Sequence, residues 1–294
     1  MNISPNETTV GFIGTGVMGA SMATRILNAG YRVLVHTRTY SKAEQLLAAG
    51  AKWVDSVSEL VEHSDVVITM VGYPSDVEEV YFGDHGILAS AKAGTYVIDM
   101  TTSSPELAVK IGKEAETRKI HALDAPVSGG DIGARQGTLS IMVGGKEDDF
   151  LAMKPLFNVM GQNVVYQGTS GAGQSTKMCN QIVIASTMVG VTEAIFYAEK
   201  SGLDPLKVLS SISSGAAGSW SLSNLAPRMI KGDMEPGFYV KHFIKDMGIA
   251  LDEAKRMEIN TPGLELALNL YKELSSMGHD LSGTQALYKL YTKE

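Results

Sequence analysis

The sequence predicts an α/β chain: an N-terminal doubly wound, parallel-rich sheet followed by an all-helical C-terminal half. Three observations predict it. Short β-branched runs alternate with helix-like stretches through the first half. A glycine-rich turn, Gly14-Thr15-Gly16-Val17-Met18-Gly19, joins the first of these runs to the first helical stretch. After about Tyr166 the strand pattern stops, and a long apolar helical segment opens at Gln174.

Taken in order, the predicted strands are Val10–Ile13, Arg32–His36, Val66–Val71 and Tyr96–Met100, followed by His121–Ala125, Leu139–Gly144 and Asn163–Tyr166. The near-continuous apolar run VVITMV suits a parallel strand covered on both faces. From Gln174 to Lys200 apolar residues occupy almost every helical face, which suits burial between two domains or two subunits. Ser104-Pro105, Asp204-Pro205 and Thr261-Pro262 each set a side-chain oxygen before a proline, the chemistry of a helix N-terminus. The expected division is therefore 1–165 for the sheet domain and 166–294 for an all-α substrate and oligomerisation domain.

Composition narrows the function. The chain has 294 residues, with 25 Lys and Arg against 32 Asp and Glu, a formal net charge of −7. An acidic chain without a dense basic run is a poor ligand for nucleic acid. A single cysteine, Cys179, excludes an internal disulfide framework and a cysteine-based zinc site, and it is expected to be a buried small side chain. The six histidines show no pair at helical ligand spacing, so no metal is expected. The N-terminal MNISPNETTV lacks a basic start and an apolar stretch, and no run approaches the ~18 uninterrupted apolar residues of a membrane span. The expectation is a soluble, cytoplasmic protein that neither enters membranes nor binds nucleic acid. A serine-hydrolase elbow is missing, and Glu147 after Gly145-Lys146 spoils a phosphate loop of the Walker type.

The glycine-rich turn lies between a strand and a helix, the setting in which G-x-G-x-x-G binds a dinucleotide on a Rossmann sheet. Gly14 allows the tight turn, Gly16 lets the backbone approach a pyrophosphate, and Gly19 lets the helix pack on the sheet. Free N–H groups around Thr15, Val17 and Met18 at the helix start then face the phosphates. About 20 residues on, where NAD-selective sites place Asp or Glu, the chain reads His36-Thr37-Arg38-Thr39. Arg38 pairs with a 2′-phosphate and Thr37 donates to it, so NADP is predicted, with NAD as the alternative.

GFIGTGVMG at 11–19, DAPVSGG at 124–130, GAGQSTKMCNQ at 171–181 and KD at 245–246 together resemble the β-hydroxyacid dehydrogenase superfamily over essentially the whole chain. That group includes 3-hydroxyisobutyrate dehydrogenases, tartronate semialdehyde reductases and glyoxylate/succinic semialdehyde reductases. The resemblance implies an NAD(P)-dependent enzyme interconverting a small β-hydroxyacid and its semialdehyde. It implies Lys177 as general acid and base, with Asn180 orienting the lysine or the substrate. A lysine ammonium suits the role, because hydride addition leaves growing charge on the carbonyl oxygen. With a reference pKa of ~10.4 the amine is an acid at neutral pH, so alcohol oxidation should favour higher pH.

Two glycines and a hydroxyl at Ser128-Gly129-Gly130 suit an anion, and the resemblance makes that anion the substrate carboxylate. Met70, Val71 and Thr102 fall at carboxyl ends of predicted strands, where open α/β sheets bind ligands. By similarity they contact the ribose and nicotinamide. Lys245 matches the family lysine that closes over cofactor and substrate, and Trp220 is either a pocket wall or a core anchor. Homodimers or homotetramers are implied. The competing readings are an NAD-dependent 3-hydroxyisobutyrate dehydrogenase and a non-catalytic dinucleotide-binding module, the latter disfavoured by retention of Lys177.

Overall fold

The computed structural model describes residues 3–292. The chain divides into two compact units, Met1–Lys177 and Met178–Glu294, with the division inside one long helix.

The first unit alternates strand and helix as expected. Its strands are β1 (Thr9–Ile13), β2 (Arg32–His36), β3 (Lys52–Trp53), β4 (Val66–Thr69), β5 (Tyr96–Asp99), β6 (His121–Asp124), β7 (Val127–Ser128), β8 (Leu139–Gly145) and β9 (Gly161–Gly168). Between them lie α1 (Val17–Asn28), α2 (Glu44–Ala48), α3 (Val57–Glu62), α4 (Pro74–Phe82), α5 (Ile87–Ser90), α6 (Pro105–Thr117), α7 (Gly130–Gln136) and α8 (Glu147–Met160). The strands form one sheet in the order β3-β2-β1-β4-β5-β6-β8-β7, with β9 also on β8. Pairing is parallel from β3 through β6, whereas β8 runs antiparallel to β6 and β7.

Both faces of the central strands are buried. In β4, Val66 and Ile68 pack into the apolar cluster around Phe12, Met22 and Ile26, while Val67 packs into the opposite cluster around Leu60, Val97 and Ile111. That is why the strand reads as continuous apolar sequence rather than as alternation. β3 and β7 have two residues each, too few for a period to show in sequence. β4, β5 and β6 end at Thr69, Asp99 and Asp124, short of the predicted Val71, Met100 and Ala125. At these ends Thr69 donates to Asp99, Asp99 accepts the Thr101 N–H, and Asp124 accepts the N–H groups of Gly171 and Gln174.

α9 (Ala172–Lys200) bridges the two units in sequence, two residues longer at its start than predicted. By length and composition it alone among the described helices is apolar enough to cross a membrane, and 44% of its most apolar window is buried. It exposes Cys179, Val183 and Tyr197, so the expectation of a buried Cys179 is corrected. The cysteine falls on the face of α9 that the fold leaves open.

In the second unit follow α10 (Pro205–Ile212), α11 (Trp220–Asn224), α12 (Ala226–Ile230), α13 (Val240–Arg256), α14 (Pro262–Ser276) and α15 (Lys289–Thr292). Among the described residues every named element here is helical, with one isolated bridge between Tyr239 and Gly283. The core gathers Met188, Phe243, Leu264 and Tyr271, and the Phe243 and Tyr271 rings meet edge to face at 5.0 Å. Asp204 caps α10 through the N–H of Leu206 at 2.9 Å, as Ser104 caps α6 through Leu107 at 3.1 Å. Thr261 does not cap α14: its hydroxyl is buried without a hydrogen-bond partner, because the backbone at φ −126°, ψ 67° carries it away from the first turn. Trp220 is exposed, not a core anchor.

Candidate dinucleotide site and active site

The glycine-rich turn separates its three glycines by task. Gly14 has φ +96°, and a Cβ there would lie 2.3 Å from the Met70 carbonyl oxygen. A Cβ on Gly19 would lie 2.0 Å from the Gly14 carbonyl oxygen. Both are demanded by the fold itself, where α1 approaches the sheet. Gly16 is different: a Cβ there would meet nothing within 4 Å. The turn thus leaves an open cradle at the start of α1, whose first turn has neither a side-chain cap nor an acidic residue. Beside it the Thr15 hydroxyl is buried with no hydrogen-bond partner. Uncapped N–H groups, an orphaned hydroxyl and a backbone bare of Cβ fit an anionic pyrophosphate. Val17 is exposed and Met18 half-buried at the same turn.

At the end of β2, Thr37 is half-buried and Arg38 exposed. The Arg38 guanidinium donates to Asp76 Oδ1 at 3.0 Å, while Asp76 Oδ2 accepts the N–H of Tyr73 at the start of α4. No carboxylate occupies 37–39, so the ribose-diol acceptor typical of NAD sites is missing there.

The carboxyl ends of β4, β5 and β6 are tied together by buried polar groups. The Thr69 hydroxyl donates to Asp99 Oδ1 at 2.8 Å, and the same oxygen accepts the Thr101 N–H at 3.1 Å. Thr101 Oγ1 accepts the Val71 N–H at 3.0 Å. Burial pushes the Asp99 carboxyl up to about 6, against the pull of its bonds to Thr69 and Thr101. Asp124 is also raised by burial, opposed by N–H groups of Gly171 and Gln174. Thr102, half-buried, sits in this loop beside Ser103, whose hydroxyl is buried and orphaned.

Lys177, one turn into α9, is 6% exposed, and its ammonium donates to the carbonyl oxygen of Val127 at 2.8 Å. Val127 immediately precedes Ser128-Gly129-Gly130. Gly129 and Gly130 have φ +129° and +60°, so the loop takes a path that L side chains resist. The predicted amine and the predicted anion loop are therefore adjacent, within the first unit.

Asn180 and Lys245 belong to the second unit and lie on one polar chain. Asn180 Nδ2 donates to Gln181 Oε1 at 2.8 Å, Gln181 Nε2 donates to Asp246 Oδ2 at 2.6 Å, and Lys245 Nζ lies 2.9 Å from Asp246 Oδ1. Both members of the Lys245–Asp246 pair are largely buried, unlike a solvated helix face. Gln181 is the link between them.

Sequence reasoning passed over Asp124, Gln174, Thr101 and Asp76. Asp124 and Gln174 lay inside quoted motifs, and a polar residue at a strand end or in a first helical turn was the available signal. Thr101 and Asp76 also bond to Val71 and Arg38, distant in sequence, which nothing local reveals. Among the described residues no three His, Cys, Asp or Glu side chains converge as a metal site.

A parallel strand-turn-helix cradle, a buried lysine beside a glycine loop and a separate helical unit define the class of two-part dinucleotide-dependent dehydrogenases. Residues 9–168 match the family model for the NAD-binding domain of 6-phosphogluconate dehydrogenase. Residues 171–291 match the one described as NAD-binding of NADP-dependent 3-hydroxyisobutyrate dehydrogenase. An uncharacterized oxidoreductase of Bacillus subtilis is 63% identical, covering 98% of this chain and all of that one. A probable mitochondrial 3-hydroxyisobutyrate dehydrogenase-like protein of Arabidopsis thaliana is 50% identical over 97% of this chain and 85% of its own. The solved 3-hydroxyisobutyrate dehydrogenase of Mycobacterium tuberculosis with L-serine superposes with a TM-score of 0.88 at 31% identity, covering 96% of this chain and 98% of that one. The chain belongs to the β-hydroxyacid dehydrogenase superfamily of NAD(P)-dependent oxidoreductases acting on CH–OH groups.

Proposed function

We propose that this protein is an NADP-linked oxidoreductase that interconverts a small, carboxylate-bearing β-hydroxyacid and its semialdehyde, with Lys177 as general acid and base. The observation that carries the reading is the buried Lys177 ammonium, fixed at 2.8 Å on the carbonyl that leads into Ser128-Gly129-Gly130. The relative solved with L-serine holds a β-hydroxy carboxylate, which supports this substrate class.

When bound, the nicotinamide supplies or accepts the hydride. The residues Gly14, Thr15, Gly16, Val17 and Met18 hold the pyrophosphate, Thr37 and Arg38 the adenosine end, and Met70, Val71 and Thr102 the nicotinamide end. Ser128, Gly129 and Gly130 take the substrate carboxylate through a hydroxyl and main-chain N–H groups. In reduction the carbonyl carbon receives the hydride and the carbonyl oxygen takes a proton from Lys177 Nζ, leaving a neutral amine. In oxidation the neutral amine takes the hydroxyl proton back. Asn180 orients the amine or the substrate, and Lys245 completes the cofactor set. The domain division 1–165 and 166–294, a cytoplasmic location and a homodimer or homotetramer belong to the same reading. Val183 and Tyr197, exposed on α9, support self-association.

One observation favours NAD instead, as in an NAD-dependent 3-hydroxyisobutyrate dehydrogenase: Arg38 already has a carboxylate partner in Asp76. The test is reduction of glyoxylate and of succinic, tartronate and methylmalonate semialdehydes with NADPH and NADH, followed by cofactor absorbance. Turnover of at least one aldehyde, faster with NADPH and abolished in Lys177→Met, is expected. Silence on the panel, or an active Lys177→Met variant, overturns the reading.

A further inference from the structure

Gln174 joins the loop after β5 to the end of β6. It is fully buried in the first turn of α9, one turn before Lys177. Its Nε2 donates to the Thr101 carbonyl oxygen at 2.7 Å, and its Oε1 accepts the Ser103 N–H at 3.0 Å. Its own main-chain N–H goes to Asp124 Oδ2 at 2.9 Å. A main-chain N–H only donates and a carbonyl oxygen only accepts, so these two partners fix which end of the amide is which.

The residues between its two contacts matter. Thr101 and Ser103 flank Thr102, and Thr101 also receives the N–H of Val71 at the end of β4. One amide therefore spans the loop assigned to the nicotinamide end and joins it to the turn that presents the Lys177 amine. An aliphatic side chain of equal length fills the same space and ties nothing. Buried hydrogen bonds from one amide to Thr101 and Ser103 restrict that loop to one arrangement.

We propose that Gln174 is a positioning residue for hydride transfer: it locks the Thr101–Ser103 loop to the Lys177 turn and so sets the distance between amine and nicotinamide. This rests on the functional reading given above. A misplacement of about 1 Å at such a site costs on the order of 100-fold in rate.

The test uses Gln174→Met, which keeps the volume, and Gln174→Ala, which leaves room for a water to bridge Thr101 and Ser103. In the ligand-free Gln174→Met protein the Ser103 amide is expected to exchange with solvent at least about tenfold faster, while amides in β1 keep their protection. In turnover kcat is expected to fall about 10- to 100-fold. The NADPH dissociation constant stays within about threefold, and the primary isotope effect with 4-deuterated NADPH rises as transfer becomes the slow step. The proposal is overturned by unchanged Ser103 protection, by a kcat within about threefold of the unaltered enzyme, or by loss of fold in both variants, which would make Gln174 a fold determinant only. An unaltered enzyme inactive on all four aldehydes overturns the functional reading and the positioning role together. An active enzyme with an unaffected Gln174→Met variant overturns the positioning role alone.

Discussion

Asp124 Oδ2 accepts the main-chain N–H of Gln174 at 2.9 Å, fifty residues further along the chain, and its Oδ1 accepts that of Gly171 at 2.8 Å. The end of β6 thereby caps the helix that carries Lys177. The fit is close: a Cβ on Gly173 would lie 2.4 Å from the Met142 carbonyl oxygen, and one on Gly144 would lie 2.6 Å from Asp124 Oδ1.

Asp124→Asn sets an N–H donor against one of these two N–H groups and removes the negative charge at the helix start. The expected loss is about 1–3 kcal/mol of folding stability, read as a lower urea midpoint with an unchanged slope. An unchanged midpoint would show that the cap contributes nothing.

Asp99 makes stability depend on pH in a definite direction. Burial raises its carboxyl to about 6, whereas in the unfolded chain it titrates near the ordinary ~3.9. The folded state therefore binds the proton more tightly. The contribution is fully present below about pH 4 and is lost as pH rises through 6, amounting to roughly 3 kcal/mol. Asp99→Asn keeps an oxygen to accept from Thr69 and Thr101 but cannot titrate. Its urea midpoint should decline less between pH 4 and pH 7 than that of the unaltered protein, in which Asp124 adds to the slope, and parallel declines would refute the assignment.

How far the sequence reaches is clear from these residues. Apolar runs announce β1, β4 and β5, since burial on both faces leaves an unmixed pattern, while β2 alternates buried Val33 and Val35 with more exposed neighbours. The glycines at 14, 16 and 19 announce a turn, but only coordinates divide them into two that the fold requires and one that faces open space. Lys177 is legible because it follows Gly171-Ala172-Gly173 in a recognisable stretch. Its anchor on Val127 is not legible, because β7 has only two residues and the contact spans 50 positions. Cys179 and Thr261 were misread for one reason: neighbour spacing gives no information on which face of a helix is covered, or which way ψ turns a cap.

Gly16 and Gly19 should respond in opposite ways to the same added methyl. Gly19→Ala drives Cβ against the Gly14 carbonyl, so the protein should lose several degrees of Tm or fail to fold. Gly16→Ala meets open space, so its Tm should stay within about 2 °C of the unaltered protein. Its dinucleotide affinity should fall at least about tenfold, because the methyl occupies the cradle proposed for the pyrophosphate. Titration of NADPH fluorescence beside a thermal melt separates the two effects. A Gly16→Ala protein that binds normally would move the phosphates elsewhere.

On the proposed NADP-linked reading, Arg38 and Asp76 decide the cofactor together. The pair is exposed on the arginine side, at 80%, so its mutual attraction is weak, on the order of 1 kcal/mol or less. A 2′-phosphate carries more charge than one carboxylate and takes two guanidinium N–H groups at once, so on that reading it would displace Asp76 as the partner. Arg38→Ala should raise KM for NADPH at least about tenfold and leave NADH nearly unchanged. Asp76→Asn releases the arginine and relieves like-charge repulsion with the phosphate, so KM for NADPH should fall about two- to threefold, again with little effect on NADH. Asparagine at 76 retains an oxygen for the Tyr73 N–H, which holds the start of α4 in place. Equal changes for both cofactors in either variant would show that Arg38 acts on the adenine or the fold rather than on the 2′-phosphate, and the chain would then be read as NAD-linked.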